Sequence, residues 1–230
     1  MAVYAGPDIT EDSLIFHYDP SNTRSYPGTG TSMYDLSGNS HTATLVNNAG
    51  FSGGSIYMDG TDDYITVGNN LAYQGLTGNF SIDLWWMTTD ASRSLNYLVS
   101  NARDCCGTYY GFEILGYTSV YPRFLVTIWD GTAGQRASTT QIYSNQWYNV
   151  VLTHDGSTAR LYVNGALDGS HSKTMSTGGT ASAPLRLGAM GVFPSYEMLG
   201  YMNSAKMYRK VLNASEVLNN YNALRGRFGL

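Results

Sequence analysis

The chain has 230 residues, a formal net charge of −4 and only 13% charged residues. Thirteen Lys and Arg stand against seventeen Asp and Glu with no basic run, so the electrostatic footprint for nucleic acid or an anionic membrane surface is missing. No run of about eighteen apolar residues is present to span a bilayer, and Met1–Asp12 has neither the basic nor the apolar region of a secretory signal, so none is expected there.

Nineteen Tyr, seven Phe, four Trp and 26 Gly, against three Lys and four Glu, favour pleated surfaces and tight turns over helices. The length suits a single β-sandwich and is enough to bury a core without staples. Cys105 and Cys106 are adjacent, and a vicinal bond would close only a strained local ring, so the fold is expected not to depend on redox state. With no second Cys pair and no nearby His, they make a poor zinc site.

Taken in chain order, residues 1–12 show no periodicity and read as an extended arm, with Val3, Tyr4 and Ile9 available to lie on a neighbouring subunit. Ser13–Asp19 alternates as a strand and ends at Pro20-Ser21-Asn22. Ser55–Met58 and Tyr64–Val67 are strands joined by Asp59-Gly60-Thr61-Asp62-Asp63, where Asp-Gly supplies a positive φ. In Asn79–Met87 the residues Phe80, Ile82, Leu84 and Trp86 share the core face, which puts Trp85 beside Asp83 on the more polar one. Further strands are predicted at Tyr97–Ser100, Tyr109–Leu115, Phe124–Trp129, Trp147–His154, Arg160–Asn164, Leu185–Gly188 and Gly200–Tyr208. One helix follows, capped by Asn213 with Glu216 three residues on, presenting Val217, Leu218, Tyr221 and Leu224 and stopped by Gly226. Residues 13–230 therefore form one all-β domain, an antiparallel two-sheet sandwich with a short C-terminal helix.

The ordered set Ile56-Tyr57-Met58-Asp59-Gly60-Thr61-Asp62-Asp63-Tyr64-Ile65-Thr66-Val67, Phe80-Ser81-Ile82-Asp83-Leu84-Trp85-Trp86, Trp147-Tyr148-Asn149-Val150-Val151-Leu152-Thr153 and Leu161-Tyr162-Val163-Asn164-Gly165 resembles concanavalin A-like, laminin-G-like jelly rolls. The first of these looks like that family's early hairpin. Asp19-Pro20-Ser21-Asn22 and Tyr221–Leu230 are similar to segments of tailed-bacteriophage structural proteins, marine ones especially. The narrower resemblance implies a virion protein, assembled in the host cytoplasm and displayed on a capsid or tail. Its expected partners are other virion proteins, a second copy of itself and a host-surface glycan. A free-standing, calcium-assisted carbohydrate-binding module is the alternative.

Glycoside hydrolases related to the fold set paired carboxylates along one strand, as in E-x-D-x-x-E, at a separation fixed by the scissile bond. Here Glu11, Glu113, Glu197 and Glu216 are scattered, Glu113 has no second carboxylate two or four residues away, and no nucleophile elbow exists, so the chain is not expected to be an enzyme. Calcium is common in the family, and Asp59, Asp62 and Asp63 are its candidate ligands, with Asp19 and Asp35 able to approach. The same aspartates also suit turns, where their carboxylates take local backbone N–H groups. For a saccharide, Trp85 beside Asp83, and Tyr117 with Tyr121 in a loop, are the candidate contacts, although aromatics in a sandwich more often pack its core. Arg225, Arg227 and Phe228 either pin the C-terminus to a partner or lie over the sandwich surface.

Overall fold

The computed structural model describes residues 8–68, 78–105, 108–118, 122–176, 184–191 and 196–230. In chain order the strands run β1 (Leu14–Tyr18), β2 (Ser32–Met33), β3 (Ala43–Val46), β4 (Gly50–Ser52), β5 (Ser55–Asp59) and β6 (Tyr64–Gly68). Next come β7 (Asn79–Thr88), β8 (Leu95–Ser100), β9 (Arg103–Cys105), β10 (Thr108–Thr118), β11 (Pro122–Asp130) and β12 (Ala133–Gln141). The last are β13 (Trp147–Asp155), β14 (Thr158–Val163), β15 (Ala166–Ser172), β16 (Leu185–Leu187) and β17 (Leu199–Tyr208), then α1 (Ala214–Leu224) and a 3-10 turn, Arg225–Phe228.

These strands make two antiparallel sheets, as the alternation of apolar residues requires. The eight-stranded sheet runs β15-β14-β13-β7-β17-β5-β4, with β1 continuing β5 along the same edge of β17. The nine-stranded sheet runs β12-β11-β10-β8-β16-β6-β3-β2, and β9 extends the β8 side of β10. Phe80, Ile82, Leu84 and Trp86 of β7 meet Phe112, Ile114, Phe124, Val126 and Ile128 in the core between the sheets. Parity along each strand therefore fixes which residues face outward. β13 and β14 form a hairpin, and Asn164 (φ 51°) with Gly165 (φ 80°) makes the left-handed turn into β15.

Three expectations are corrected here. β5 and β6 are not a hairpin: β5 pairs with β17 and β4, β6 with β3 and β16, so Asp59–Asp63 carries the chain from one sheet to the other. The polar segments 133–141 and 166–172 are strands at the two sheet edges, where a strand needs no apolar face. Thr139 and Thr140 of β12 bond to Asp168 of β15, tying those edges together. The helix has its predicted capping box but buries Val217 and Asn220, while Leu218 is exposed. Gly226 does not end it; the chain tightens into the 3-10 turn and stops at Gly229, with φ of 73°.

Candidate functional site

The outer face of the eight-stranded sheet is closed. Trp85 is fully buried under the C-terminal segment, its ring stacked on Phe228 (centroids 4.2 Å apart) and Tyr221 (5.7 Å). Asp83 is equally buried, paired with Lys206 Nζ at 3.3 Å and accepting hydrogen bonds from Asn149 Nδ2 (2.7 Å) and Asn220 Nδ2 (3.0 Å). A charge taken out of water needs such partners to persist. Asp83 and Trp85 therefore hold the helix onto the sheet and offer nothing to a ligand, a correction that follows from what covers them.

The arm is corrected in the same way at its near end. Thr10 N–H donates to Asn220 Oδ1, Asn219 Nδ2 donates to the Asp8 carbonyl, and Lys210 pairs with Asp12. Ile9 is thus half-buried in a segment bound to its own helix, while Val3 and Tyr4 lie outside the described residues. Arg227 reaches Asp19 with both terminal nitrogens (2.8 and 3.0 Å), so the C-terminus is pinned to its own sandwich.

The aspartate cluster is a turn lock. Ligand oxygens of Asp59, Asp62 and Asp63 lie within 4.8 Å of one another. Asp63, however, accepts the Asn48 and Asp59 N–H groups on its two oxygens, and Asp59 accepts that of Thr61. Those donors take up part of the acceptor capacity of the cluster. Asp19 is committed to Arg227, and Asp35 to Ser37 and the His17 and His41 N–H groups. The bonds on Asp59 and Asp63 account for the cluster as a turn former. Cys106 lies outside the described residues.

The outer face of the nine-stranded sheet is open. A groove of about 320 Å³ runs along β10 and β11, flanked by β8 and β12. Register builds it as cross-strand rows, because opposed residues in an antiparallel sheet share a face. One row is polar, Ser100–Glu113–Thr127–Gln135. The next is apolar, Tyr97–Leu115–Leu125–Ala137. Leu95–Tyr117–Arg123 closes one end, with Tyr117 at 38% exposure, and Trp129, packed on Tyr109 at 5.0 Å, closes the other. Of the four predicted ligand contacts, Tyr117 alone stands at this groove; Tyr121 lies outside the described residues.

Among the described residues Glu113 is the single carboxyl in the lining, and it is 3% exposed. Burial pushes its acid up to about 7, partly opposed by the neighbouring Trp129 indole. Burial also raises the Tyr97 phenol, with Glu113, Tyr196 and Tyr109 adding to it. Sequence reasoning set Glu113 aside for want of a second carboxylate. Its signal was positional, since Phe112 and Ile114 face the core and leave it facing out.

Two antiparallel sheets packed face to face, one outer face sealed and the other grooved, define a jelly-roll β-sandwich. The chain belongs to the concanavalin A-like lectin/glucanases superfamily, whose family model matches residues 59–218. Among solved structures it is similar to Trypanosoma rangeli sialidase in complex with sialic acid (TM-score 0.71, 16% identity, 93% of this chain and 33% of that one). It is also similar to domain 4 of AbnA, a GH43 extracellular arabinanase from Geobacillus stearothermophilus, in complex with arabinotriose (0.64, 18%, 92% and 100%). A third is from work on cell entry of botulinum neurotoxin type C, dependent on two ganglioside molecules (0.68, 14%, 93% and 52%). The chain spans about half the length of that toxin structure. No curated protein matches it by sequence.

Proposed function

We propose that this domain is a non-catalytic saccharide-binding module whose ligand lies along β10 and β11 in the groove of the nine-stranded sheet. The observation that carries the reading is the groove itself: aromatic and aliphatic side chains suited to sugar faces, interleaved with a polar row suited to hydroxyls. The saccharides in the titles of the similar structures support it. Among the described residues the lining has one carboxyl and not the pair that glycoside hydrolysis uses, which favours binding over cleavage.

A glycan-array screen of the purified protein tests this, with Trp129→Ala and Tyr117→Ala run beside it. Reproducible hits lost in both variants are expected, and unchanged in chelator. A hit that survives both variants puts the site elsewhere; an empty array with folded protein removes the reading.

The finer reading is that the module is displayed on a bacteriophage virion. Its support is the resemblance of Asp19–Asn22 and Tyr221–Leu230 to phage structural proteins, two segments that the Asp19–Arg227 pair joins into one unit. Antibody labelling of purified particles from the source is expected to decorate capsid or tail; unlabelled particles would end that reading.

A further inference from the structure

Two polar atoms on the groove floor are buried and without a partner among the described residues: Glu113 Oε1, an acceptor, and Trp129 Nε1, a donor. They belong to neighbouring strands. Glu113 pairs with Thr127, two residues before Trp129, a diagonal that long side chains cross. The indole N–H is placed as a donor toward the Glu113 carboxyl and favours its ionised form, but the pair falls short of hydrogen-bond geometry. Indole N–H groups of Trp85 and Trp86 are also unpartnered, but neither lines the groove or has an orphan acceptor on an open surface beside it. A buried polar atom left unmade costs about 1–3 kcal/mol, so a small polar group that bridged this donor and acceptor would be stabilised here.

We propose that Glu113 and Trp129 form a hydroxyl-recognition subsite, in which one saccharide hydroxyl donates to Glu113 Oε1 while its oxygen accepts from Trp129 Nε1. This rests on the saccharide-binding reading and assigns its polar anchor. A hydroxyl is both donor and acceptor at one atom, as the pair demands; a carboxylate or sulfate ligand has no proton to give the ionised Glu113. Thr127 and Gln135 continue the polar row on one side, Gln135 Nε2 reaching Thr127 Oγ1 at 3.4 Å, and can take neighbouring hydroxyls.

Binding at this subsite is linked to a proton. A hydroxyl donating to the carboxylate favours the ionised form, so the ligand draws the proton from Glu113 and releases it to solvent. The titratable and charged groups around Glu113 are Tyr97 on β8, Tyr109 on β10, Arg123 at the far end of β11 and Arg186, beyond Ser100 in the same row on β16; β12 presents uncharged Gln135. The phenol of Tyr97 is pushed upward and stays neutral, leaving Glu113 to titrate near neutral pH. Affinity then rises as pH goes from about 6 to 8, by up to tenfold per unit below the Glu113 value, and levels off above it.

The test uses arabinotriose, cellotriose and 3′-sialyllactose with the full chain, followed by calorimetry and by the Trp129 indole N–H signal in NMR. The expected result is a shifted Trp129 signal, proton release at pH 7 and tighter binding at pH 8 than at pH 6. In Glu113→Gln, which keeps an acceptor, the pH dependence disappears. In Trp129→Phe, which keeps a ring but no N–H, affinity falls about tenfold at every pH. Binding that leaves the Trp129 signal in place and is indifferent to both variants overturns the subsite while the saccharide reading stands. No binding by any method overturns both. Tighter binding at pH 6 overturns the assigned proton direction and, with it, hydroxyl donation to Glu113.

Discussion

On β7 the outward row holds Asp83 and Trp85; on β10 and β11 it holds Glu113 and Trp129. Each pair is a carboxylate near an indole on an outer sheet face, and each carboxylate is almost wholly buried. The first is roofed by α1 and the 3-10 turn and satisfied by Lys206, Asn149 and Asn220. The second lies under an open groove with one oxygen unpartnered. Residue type and strand parity are the same in both. What separates a clamp from a site is the chain segment that covers one face and leaves the other bare.

The largest expected effect comes from breaking the sealed face. Lys206→Met keeps the length of the side chain but strands the Asp83 charge out of water, which should cost about 3–5 kcal/mol in urea unfolding. A loss below about 1 kcal/mol would show that Asn149 and Asn220 suffice, and that the face is held by its rings instead.

Acid and base then separate the faces. Burial and the Lys206 charge hold His17, beside the sealed network with Asp19, Asp83 and Asp35, down to about 4. Between about pH 6.5 and 4 the unfolded chain takes up a proton there that the folded chain refuses, so stability falls as pH falls. Glu113 runs the other way: raised to about 7 from 4.5, it holds a proton in the folded state that the unfolded chain has released, so stability falls as pH rises through that window. Each term is on the order of 3 kcal/mol, and they oppose. Glu113→Gln should therefore gain on the order of 2 kcal/mol over the parent at pH 8 relative to pH 5, and His17→Gln should flatten the acid limb. Parallel pH–stability curves for parent and Glu113→Gln would mean that the groove floor is wetter than its burial indicates.

Phe228→Ala addresses the roof. Phe228 stacks on Trp85 at 4.2 Å and packs tilted against Trp147 at 4.6 Å, so its loss should cost roughly 2 kcal/mol and shift tryptophan emission to the red as water reaches Trp85. Unshifted emission would mean that α1 alone seals the face.

The sequence carried the sandwich wherever one strand face met the core, as in Phe80/Ile82/Leu84/Trp86, because period-two alternation is the imprint of half-burial. It was silent at 133–141 and 166–172, edge strands that alternate nothing, and it could not say that Asp59–Asp63 changes sheets, since a turn's chemistry does not name its strands' partners. At the site, Tyr117 was legible as a candidate contact but reads from sequence as a loop residue, whereas it lies on β10 at the end of the groove. Glu113 and Trp129 were not legible, because their meeting depends on the β10–β11 register, which pairs Glu113 with Thr127. Trp85 misled for the complementary reason: its face is polar in sequence because Asp83 and Ser81 bond to Asn220, Lys206, Lys210 and Leu212, not to water.

The smallest expected effect probes whether the roof is one piece. Asn213 Oδ1 accepts the Ser215 and Glu216 N–H groups, and Glu216 returns a bond to the Asn213 N–H. Asn213→Ala should cost about 1 kcal/mol, whereas Asn213→Asp should stay within a few tenths. Loosening α1 at that end also loosens Asn220, which bridges Asp83, Tyr208 and the Thr10 N–H. If α1 and the 3-10 turn lift together, the Asn213→Ala/Phe228→Ala double variant should lose less than the two singles summed, by about 0.5 kcal/mol or more. Strict additivity would divide the cap in two, with the rings over Trp85 and the amide on Asp83 sealing the face independently.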